Sequence, residues 1–349
     1  MATVTTEIPA CRTLPDLKTA PSLLEIVREG LGNNPKQLPP WLFYDEAGSL
    51  LFDRITRLPE YYLTRVERGI FENSAAEMIA TAAGGDRLRM MELGAGSADK
   101  TRLLLAAAVS YQQQVCYQPV DVSASALEAA CERLERELPS VETDPLVADY
   151  TRGLLLDPCK AGERRLALFI GSSIGNFDPG AALSLLRSLR NTLEPGDGLL
   201  LGVDQAPDQA PDQAPDQAPA ANGKTVPQLI AAYDDSQGVT AQFNKNMLVR
   251  LNRDLGAEFD LDAFRHQIRW NRDESRIEMH LESLAPQSVP IAGLGQTIDF
   301  ADGETIHTEN SYKYRAGQAE RLLRAAGFEP ERRWSDAEGL FAVHLAIRS

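Results

Sequence analysis

Apolar runs of strand length alternate with longer amphipathic runs from Arg87 to Asp204. This rhythm is typical of a parallel sheet whose strands are connected by helices. The pattern predicts strands over residues 87–93, 115–123, 144–150, 165–173 and 196–204, and helices over 97–111, 123–138 and 178–193. Ser97 is expected to be the N-cap of the first of these helices.

A four-residue unit, DQAP, interrupts this rhythm and is repeated four times from Asp204 to Pro219. A proline at every fourth position excludes both a helix and a central strand, so we expect an extended or disordered surface loop at residues 204–219. A partner-binding arm is one interpretation of such a loop. A tolerated loop expansion is the simpler one.

The α/β pattern returns near the end of the chain. Residues 226–256 have a helical pattern, and residues 264–284 alternate like a β-hairpin that turns at residues 271–275. A helix over 315–328 then precedes strands over 329–336 and 339–349, and Rossmann-like sheets end in this way when the last strand is inserted antiparallel. We therefore expect a sheet domain (residues 69–224 plus 314–349) and a second, smaller domain (residues 1–68 plus 225–313).

The composition disfavours several classes of function. The 349 residues include 50 acidic and 35 basic ones, a formal net charge of −15, which opposes binding to nucleic acid. The four cysteines are dispersed and include no CxxC pair, and the four histidines are scattered. This spacing disfavours a metal site and a disulfide framework. Without a signal-like N-terminus or an apolar run approaching the roughly 18 residues of a membrane span, we expect a soluble, cytoplasmic protein.

The segment ELGAGS puts Gly94 and Gly96 between a strand and a helix, where a nucleotide is often held. A dinucleotide site needs a third glycine where Asp99 stands, and the GK[ST] ending of a phosphate loop is also missing, which disfavours a dehydrogenase. S-adenosylmethionine has no phosphate, and this turn resembles that of class I methyltransferases. Asp121 at the next strand end can take the ribose hydroxyls, and Asp149 with Tyr150 can hold the adenine, although an acidic residue there can also be a helix N-cap.

The segment GSSIGNF, Gly171–Phe177, follows the fourth strand, where methyltransferases present the acceptor atom. Asn176 offers an amide that can both donate and accept a hydrogen bond. A turn residue before the next helix is the alternative explanation of this asparagine.

Six motifs extend the resemblance over nearly the whole chain: LFYDEAGSLLFDRITRLPEYYLTR, ELGAGSADKT, GSSIGNF, AYDDSQGVTAQFNKN, RIEMHLES and ETIHTENSYKY. As an ordered set they resemble the histidine Nα-methyltransferases of ergothioneine biosynthesis. The resemblance implies an α/β, Rossmann-like class I methyltransferase sheet with a second, smaller substrate-binding domain. It also implies that L-histidine is trimethylated to hercynine, through its mono- and dimethylated forms. We further expect a monomer and no metal. The DQAP expansion lies where relatives keep a short connection, and we expect it to touch none of the motifs.

The resemblance also assigns residues, which fall into two groups. The expected contacts with S-adenosylmethionine are Gly94, Lys100, Asp121, Asp149 and Tyr150. The expected contacts with histidine are Tyr61, Gly171, Asn176, Tyr233, Met279, Glu309 and Ser311, and Tyr44 is expected to line the same pocket. Asn176, Tyr44 and Tyr61 are expected to aim the reacting amine.

Residue chemistry is consistent with histidine as the substrate. A carboxylate can accept one imidazole N–H while a hydroxyl serves the other nitrogen, and Glu309 and Ser311 are two positions apart, on one face of a strand. Three alternatives stay open: N-methylation of another amino acid such as a tryptophan derivative, a non-catalytic S-adenosylmethionine-binding protein, and ordinary core packing for any single tyrosine. An indole ring has no use for a buried carboxylate such as Glu309, which favours histidine.

Overall fold

The computed structural model describes residues 12–13, 22–207 and 223–349. The helices in this part of the chain are α1 (Leu23–Gly32), α2 (Glu46–Ile55), α3 (Tyr62–Ala83), α4 (Thr101–Gln112), α5 (Ala124–Glu137), α6 (Pro179–Thr192), α7 (Val226–Tyr233), α8 (Val239–Leu255) and α9 (Gln318–Ala326). Short 3₁₀ helices occupy Pro40–Phe43, Tyr150–Arg152, Ser173–Asn176, Leu261–Ala263 and Ala292–Leu294.

The strands are β1 (Arg12–Thr13), β2 (Lys36–Gln37), β3 (Arg87–Leu93), β4 (Val115–Asp121), β5 (Val141–Thr143), β6 (Leu146–Val147), β7 (Glu163–Phe169), β8 (Gly198–Asp204), β9 (Phe264–Asn271), β10 (Arg276–Ser283), β11 (Gln287–Ile291), β12 (Gln296–Phe300), β13 (Thr305–Tyr312), β14 (Phe328–Ser335) and β15 (Phe341–Arg348). The described strands form three sheets of nine, four and two strands.

The nine-stranded sheet has the order β1-β6-β4-β3-β7-β8-β15-β14, with β5 also paired to β4. Strands β4, β3, β7 and β8 are parallel neighbours. Strand β15 is antiparallel to both β8 and β14, between which it lies. The predicted α/β sheet with an inserted antiparallel last strand is therefore confirmed.

Local sequence explains α6, the helix that follows β7. Asp178 caps α6 by accepting hydrogen bonds from the backbone N–H groups of Gly180 and Ala181, both at 2.9 Å. Pro179 occupies the first turn, where its missing N–H costs nothing. The helix begins where its sequence predicts.

The turn before α4 differs from the prediction that Ser97 is its N-cap. The helix begins at Thr101, after Lys100. Gly94, Gly96 and Ala98 have positive φ angles of 67°, 50° and 51°. Because the backbone is still turning through the left-handed region at Ala98, Ser97 cannot begin a helix.

The strand predicted over residues 144–150 is mostly absent, since only Leu146 and Val147 belong to β6. Asp149 instead caps a 3₁₀ helix by accepting a hydrogen bond from the Thr151 backbone N–H at 3.0 Å. The alternative explanation of Asp149 as a cap is thus correct for its local structure.

The predicted hairpin is confirmed as β9 and β10, which are central to the four-stranded sheet β2-β13-β10-β9. The helical region of residues 226–256 is divided into α7 and α8. Asp235 causes the break, because its carboxylate accepts hydrogen bonds from the backbone N–H groups of Val239 at 2.9 Å and Thr240 at 2.7 Å.

Buried apolar side chains of the described residues form three clusters. One joins side chains of the N-terminal helices with α8 and the four-stranded sheet, as at Phe43, Met247 and Ile306. The other two lie on opposite faces of the large sheet, since alternate residues of its strands, such as Leu166 and Ala167, divide between them. The large sheet is therefore covered on both faces.

The first DQAP unit does not form the loop predicted for it. Asp204 is the last residue of β8 and is fully buried, and Gln205 forms a β-bridge with Tyr314. Asp204 also forms an ion pair with Lys313 of the ETIHTENSYKY motif, so the expectation that the repeat touches no motif is wrong for this unit. The three following units, from Asp208, lie outside the described residues.

Candidate active site

The glycine turn after β3 is tied to the end of β4. The backbone N–H groups of Gly96 and Ser123 donate to opposite oxygens of the Asp121 carboxylate, at 3.1 and 3.0 Å. Burial raises the pKa of Asp121 above its ordinary value, while these backbone donors lower it. Each carboxylate oxygen has capacity left to accept a hydrogen bond from a ligand hydroxyl.

The 3₁₀ helix Tyr150–Arg152, which follows β6, adds a ring to this turn. The Tyr150 ring packs edge-on against Phe169 with a centroid distance of 5.8 Å. A Cβ atom at Gly94 would lie 3.6 Å from the Tyr150 ring, so the glycine keeps space open beside the ring. A site with carboxylates and an aromatic ring suits a ribose and an adenine better than a pyrophosphate, whose negative charge the carboxylates would repel. The residues present therefore fit S-adenosylmethionine.

Lys100 and Gly171 meet at a buried carboxylate that sequence reasoning missed. Glu67 of α3 is fully buried, forms an ion pair with Lys100, and accepts hydrogen bonds from the Gly171 backbone N–H at 2.8 and 3.0 Å. A Cβ atom at Gly171 would lie 3.1 Å from the Lys100 ammonium nitrogen, so glycine permits this close approach. A single acidic residue within a helical pattern carries no signal of such a role.

A cavity lies next to Gly171, between the large sheet and the four-stranded sheet. All eight residues predicted for the catalytic and histidine-binding groups line it: Tyr44, Tyr61, Gly171, Asn176, Tyr233, Met279, Glu309 and Ser311. The structure thus brings together residues that are widely separated in the sequence.

The cavity has further lining residues that the sequence did not indicate: Phe52, Ile55, Leu63, Ser172, Ser173, Ala232, Thr240 and Phe243. The Tyr44 ring contacts those of Phe52 and Phe243 edge-on, with centroid distances of 5.7 and 5.5 Å. Both phenylalanines occupy apolar positions of helical patterns, where a pocket residue and a core residue look alike.

The hydroxyls of Tyr44 and Tyr61 stay protonated in this cavity. Burial raises the pKa of Tyr44 well above its ordinary value, and the negative charges of Glu309 and Asp121 raise it further. Burial likewise raises the pKa of Tyr61, whose ring lies edge-on to Tyr233 at 6.1 Å. Both groups can therefore donate hydrogen bonds without adding charge.

Asn176 ends the 3₁₀ helix Ser173–Asn176 that follows β7. The helix is pressed against β13, since a Cβ atom at Gly175 would lie 2.7 Å from the Tyr312 carbonyl oxygen. Only glycine allows this contact, which holds the Asn176 amide at the cavity wall.

The opposite wall comes from β10 and β13, in which Met279 is paired with Glu309. Burial raises the pKa of the Glu309 carboxyl from 4.5 to about 7, and the positive charge of Lys313 opposes this shift. Ser311 follows on the same face, and its hydroxyl lies 2.8 Å from the Tyr233 hydroxyl. The spacing expected to put Glu309 and Ser311 on one strand face agrees with the structure.

Lys313, two positions beyond Ser311, was not singled out from the sequence. It is fully buried and lies 3.0 Å from Asp204. The same i, i+2 alternation that relates Glu309 to Ser311 extends to Lys313, so that signal was available.

Comparison with known proteins is consistent with this geometry. A family model described as a histidine-specific, SAM-dependent methyltransferase matches residues 23–348. The chain belongs to this family. Its membership in the histidine-specific methyltransferases confirms the resemblance predicted from the six motifs. The nine-stranded sheet with its antiparallel strand β15 is the fold that this resemblance implied.

Individual relatives are consistent with this family membership. A histidine N-alpha-methyltransferase of Mycolicibacterium smegmatis is 44% identical over 94% of this chain and 96% of its own length. One of Mycobacterium tuberculosis is 43% identical over 92% of this chain and 94% of its own. Ergothioneine biosynthesis protein 1 of Neurospora crassa is 31% identical over 91% of this chain, which matches 34% of that longer protein.

None of the helices in the described ranges is long and apolar enough to cross a bilayer. In the same part of the chain, no group of three or more histidine, cysteine, aspartate and glutamate side chains is arranged to hold a metal ion.

Proposed function

We propose that this protein transfers methyl groups from S-adenosylmethionine to the α-amino group of L-histidine until the trimethylated product, hercynine, is formed. The observation that carries the proposal is the cavity in which Glu309 and Ser311 face Asn176 and the tyrosines. It offers an acceptor and a hydroxyl for the imidazole on one wall and an amide for the amine on the other.

Each end of the substrate has its own set of residues in this proposal. Glu309 accepts the imidazole N–H, Ser311 serves the second ring nitrogen, and Met279 packs against the ring. Asn176, with the hydroxyls of Tyr44 and Tyr61, directs the nitrogen lone pair of the amine, while Tyr233 closes the wall beside Ser311.

The methyl donor is held on the other side of Gly171. Asp121 takes the ribose hydroxyls, Asp149 and Tyr150 hold the adenine, and the turn at Gly94 lets the backbone pass close to the ligand. Lys100 supports this edge through its ion pair with Glu67. When bound, the donor supplies a methyl group on a positively charged sulfur.

The protein's task is chiefly positioning and exclusion of water. The amine must lose its proton before it attacks, and a free α-amino group has a pKa of about 8, so modest perturbation suffices. A new N–C bond then forms as the C–S bond breaks. The amine proton leaves to water. In the first two transfers Asn176 and the tyrosine hydroxyls direct the lone pair by accepting hydrogen bonds from the remaining amine N–H groups. The dimethylated amine has no N–H left, so in the third transfer it is held by the shape of the cavity and by the contacts to the imidazole.

We also propose that the site lies between two domains, residues 1–68 plus 225–313 and residues 69–224 plus 314–349. The separate apolar cluster that joins Phe43 to Met247 and Ile306 supports this division. Helix α3 begins in the first unit and continues into the second, so Glu67 lies near the junction.

The test is mass spectrometry of L-histidine incubated with the protein and S-adenosylmethionine. We expect a product heavier by three methyl groups, with the one- and two-methyl forms as transient species. Nα-acetylhistidine, whose amine is blocked, should remain unmodified. Faster methylation of tryptophan than of histidine would reassign the substrate, and tight binding of S-adenosylmethionine without turnover of any amino acid would favour a non-catalytic protein.

A further inference from the structure

A buried ion cluster lies directly behind the imidazole wall. The Asp204 carboxylate forms ion pairs with Lys224 and Lys313, and all three side chains are fully buried. The Tyr62 hydroxyl donates to the same carboxylate at 2.8 Å. The cluster carries one net positive charge, because two ammonium groups share one carboxylate.

The Lys313 ammonium group has its three protons committed. One is directed to Asp204 at 3.0 Å, one to the Tyr233 hydroxyl at 2.7 Å and one to the Ser311 hydroxyl at 2.8 Å. Both hydroxyl oxygens therefore act as acceptors toward Lys313. The nitrogen is also 4.7 Å from the centre of the Tyr233 ring, which fixes it against that side chain.

The hydroxyls of Tyr233 and Ser311 keep one proton that is not used between them. Their two hydroxyls bring two protons, and the hydrogen bond between them, 2.8 Å long, uses one. The second proton has no acceptor among the residues that the structure describes. It is available to a ligand in the cavity, whichever hydroxyl carries it.

We propose that Lys313 is a positioning residue for the substrate's imidazole: by donating to both hydroxyls, it makes the Tyr233–Ser311 pair a hydrogen-bond donor toward the ring nitrogen that carries no proton. The inference rests on the proposed function and names a residue that acts through the two hydroxyls rather than on the substrate. Glu309 accepts from the other ring nitrogen, so the wall matches the donor and acceptor of one imidazole tautomer.

Lys224 provides a matched control. Its replacement removes the same positive charge from beside the same carboxylate. Lys224 donates hydrogen bonds to Asp204 and to the backbone oxygens of Gln205 and Leu340. In either single variant Asp204 keeps one lysine and the Tyr62 hydroxyl.

The experiment compares Lys313→Met and Lys224→Met with the wild type in steady-state kinetics and in calorimetric binding of S-adenosylmethionine. We expect Lys313→Met to raise the KM for histidine about 10- to 100-fold, the loss typical of a hydrogen bond that involves a charged group. The effect on kcat should be smaller, and the affinity for S-adenosylmethionine should be unchanged. Lys224→Met should leave the KM for histidine near the wild-type value.

The pH profile gives a second readout that a merely structural role would not move. The groups that face Glu309 are Lys313 and the hydroxyls of Tyr44, Tyr61 and Tyr233. Lys313 alone among these is a cation, so its removal should move the acid-side rise of KM to higher pH. Lys224→Met should not move it to the same extent.

Each outcome decides the question. Equal KM effects and equal pH profiles in the two methionine variants would overturn the proposal. If Lys313→Met does not fold, Lys313→Gln is measured in its place with the same expected direction, and failure of both variants to fold beside a folded Lys224→Met would also overturn it, because Lys313 would then be structural. A wild type that binds S-adenosylmethionine but does not methylate histidine would instead refute the proposed function.

Discussion

Replacing Glu309 by glutamine should make the protein more stable at alkaline pH while it impairs histidine binding. Glu309 is 9% exposed, and its pKa is raised from 4.5 to about 7 mainly by burial. At about 1.4 kcal/mol for each pH unit, holding this carboxylate ionised costs the folded state about 3 kcal/mol. Glutamine has nearly the same shape and carries no such cost.

The sign of the effect follows from proton binding. Between pH 4.5 and about 7 the folded protein holds a proton on Glu309 that the unfolded chain has lost, so stability falls as pH rises through this window. Below the window both states are protonated and the cost vanishes. Above it both are ionised and the cost is complete. The advantage of Glu309→Gln should therefore be full at pH 8 and absent at pH 4.

The assay is equilibrium urea unfolding of the wild type and the variant at several pH values, with the difference in unfolding free energy plotted against pH. Other titrations cancel in that difference. Glu278→Gln is a control of opposite sign, because hydrogen bonds from Asn271, Arg276 and His280 hold the pKa of Glu278 at about 2 despite burial. That variant should lose stability at pH 8. A Glu309→Gln difference that does not change with pH would refute the reasoning.

Three further predictions concern ligands and the repeat. Asp121→Ala should weaken binding of S-adenosylmethionine by about 1.5 to 3 kcal/mol for each lost charge-assisted hydrogen bond; unchanged calorimetric affinity in a folded variant would contradict the assignment. Deleting Asp208–Pro219 should leave turnover and the melting temperature nearly unchanged, since loop closure costs about 0.6 kcal/mol per doubling of length, whereas lost activity would make the loop part of the site. Glu309→Ala should lower the ratio of kcat/KM for histidine over tryptophan, because space opens beside Met279; a constant ratio would remove the imidazole role from Glu309.

Periodicity predicted the large sheet well because its strands are buried on both faces and its helices carry regular apolar stripes. The prediction was wrong where residues adopt less common backbone dihedral angles. Ser97 looked like a helix cap, but the left-handed turn extends to Ala98. Asp149 looked like the end of a strand, but its side chain stabilises a 3₁₀ turn. Both errors fall at boundaries, where one or two dihedral angles decide the outcome and the apolar pattern carries no information.

The cavity shows a similar division. The motif resemblance predicted eight of the residues that line it. Phe52 and Phe243 were missed because their apolar positions in helical patterns look like those of ordinary core residues. Glu67 and Asp204 were missed for another reason. Their partners, Lys100 and Lys313, are distant in sequence, and a buried ion pair that forms only in three dimensions leaves no local pattern.

The buried position of Asp204 has a consequence for how the DQAP array can change in length. The four units are identical in sequence, so removing any one of them yields the same protein. If the unit containing Asp204 is lost, the aspartate of the next unit follows Val203 in its place, with the same Gln-Ala-Pro behind it. Loss or gain of whole units therefore leaves an aspartate at this position, whereas a point substitution at Asp204 removes the carboxylate that pairs with two buried ammonium groups. Deleting whole units therefore does not test the role of Asp204, and a substitution at this position is needed.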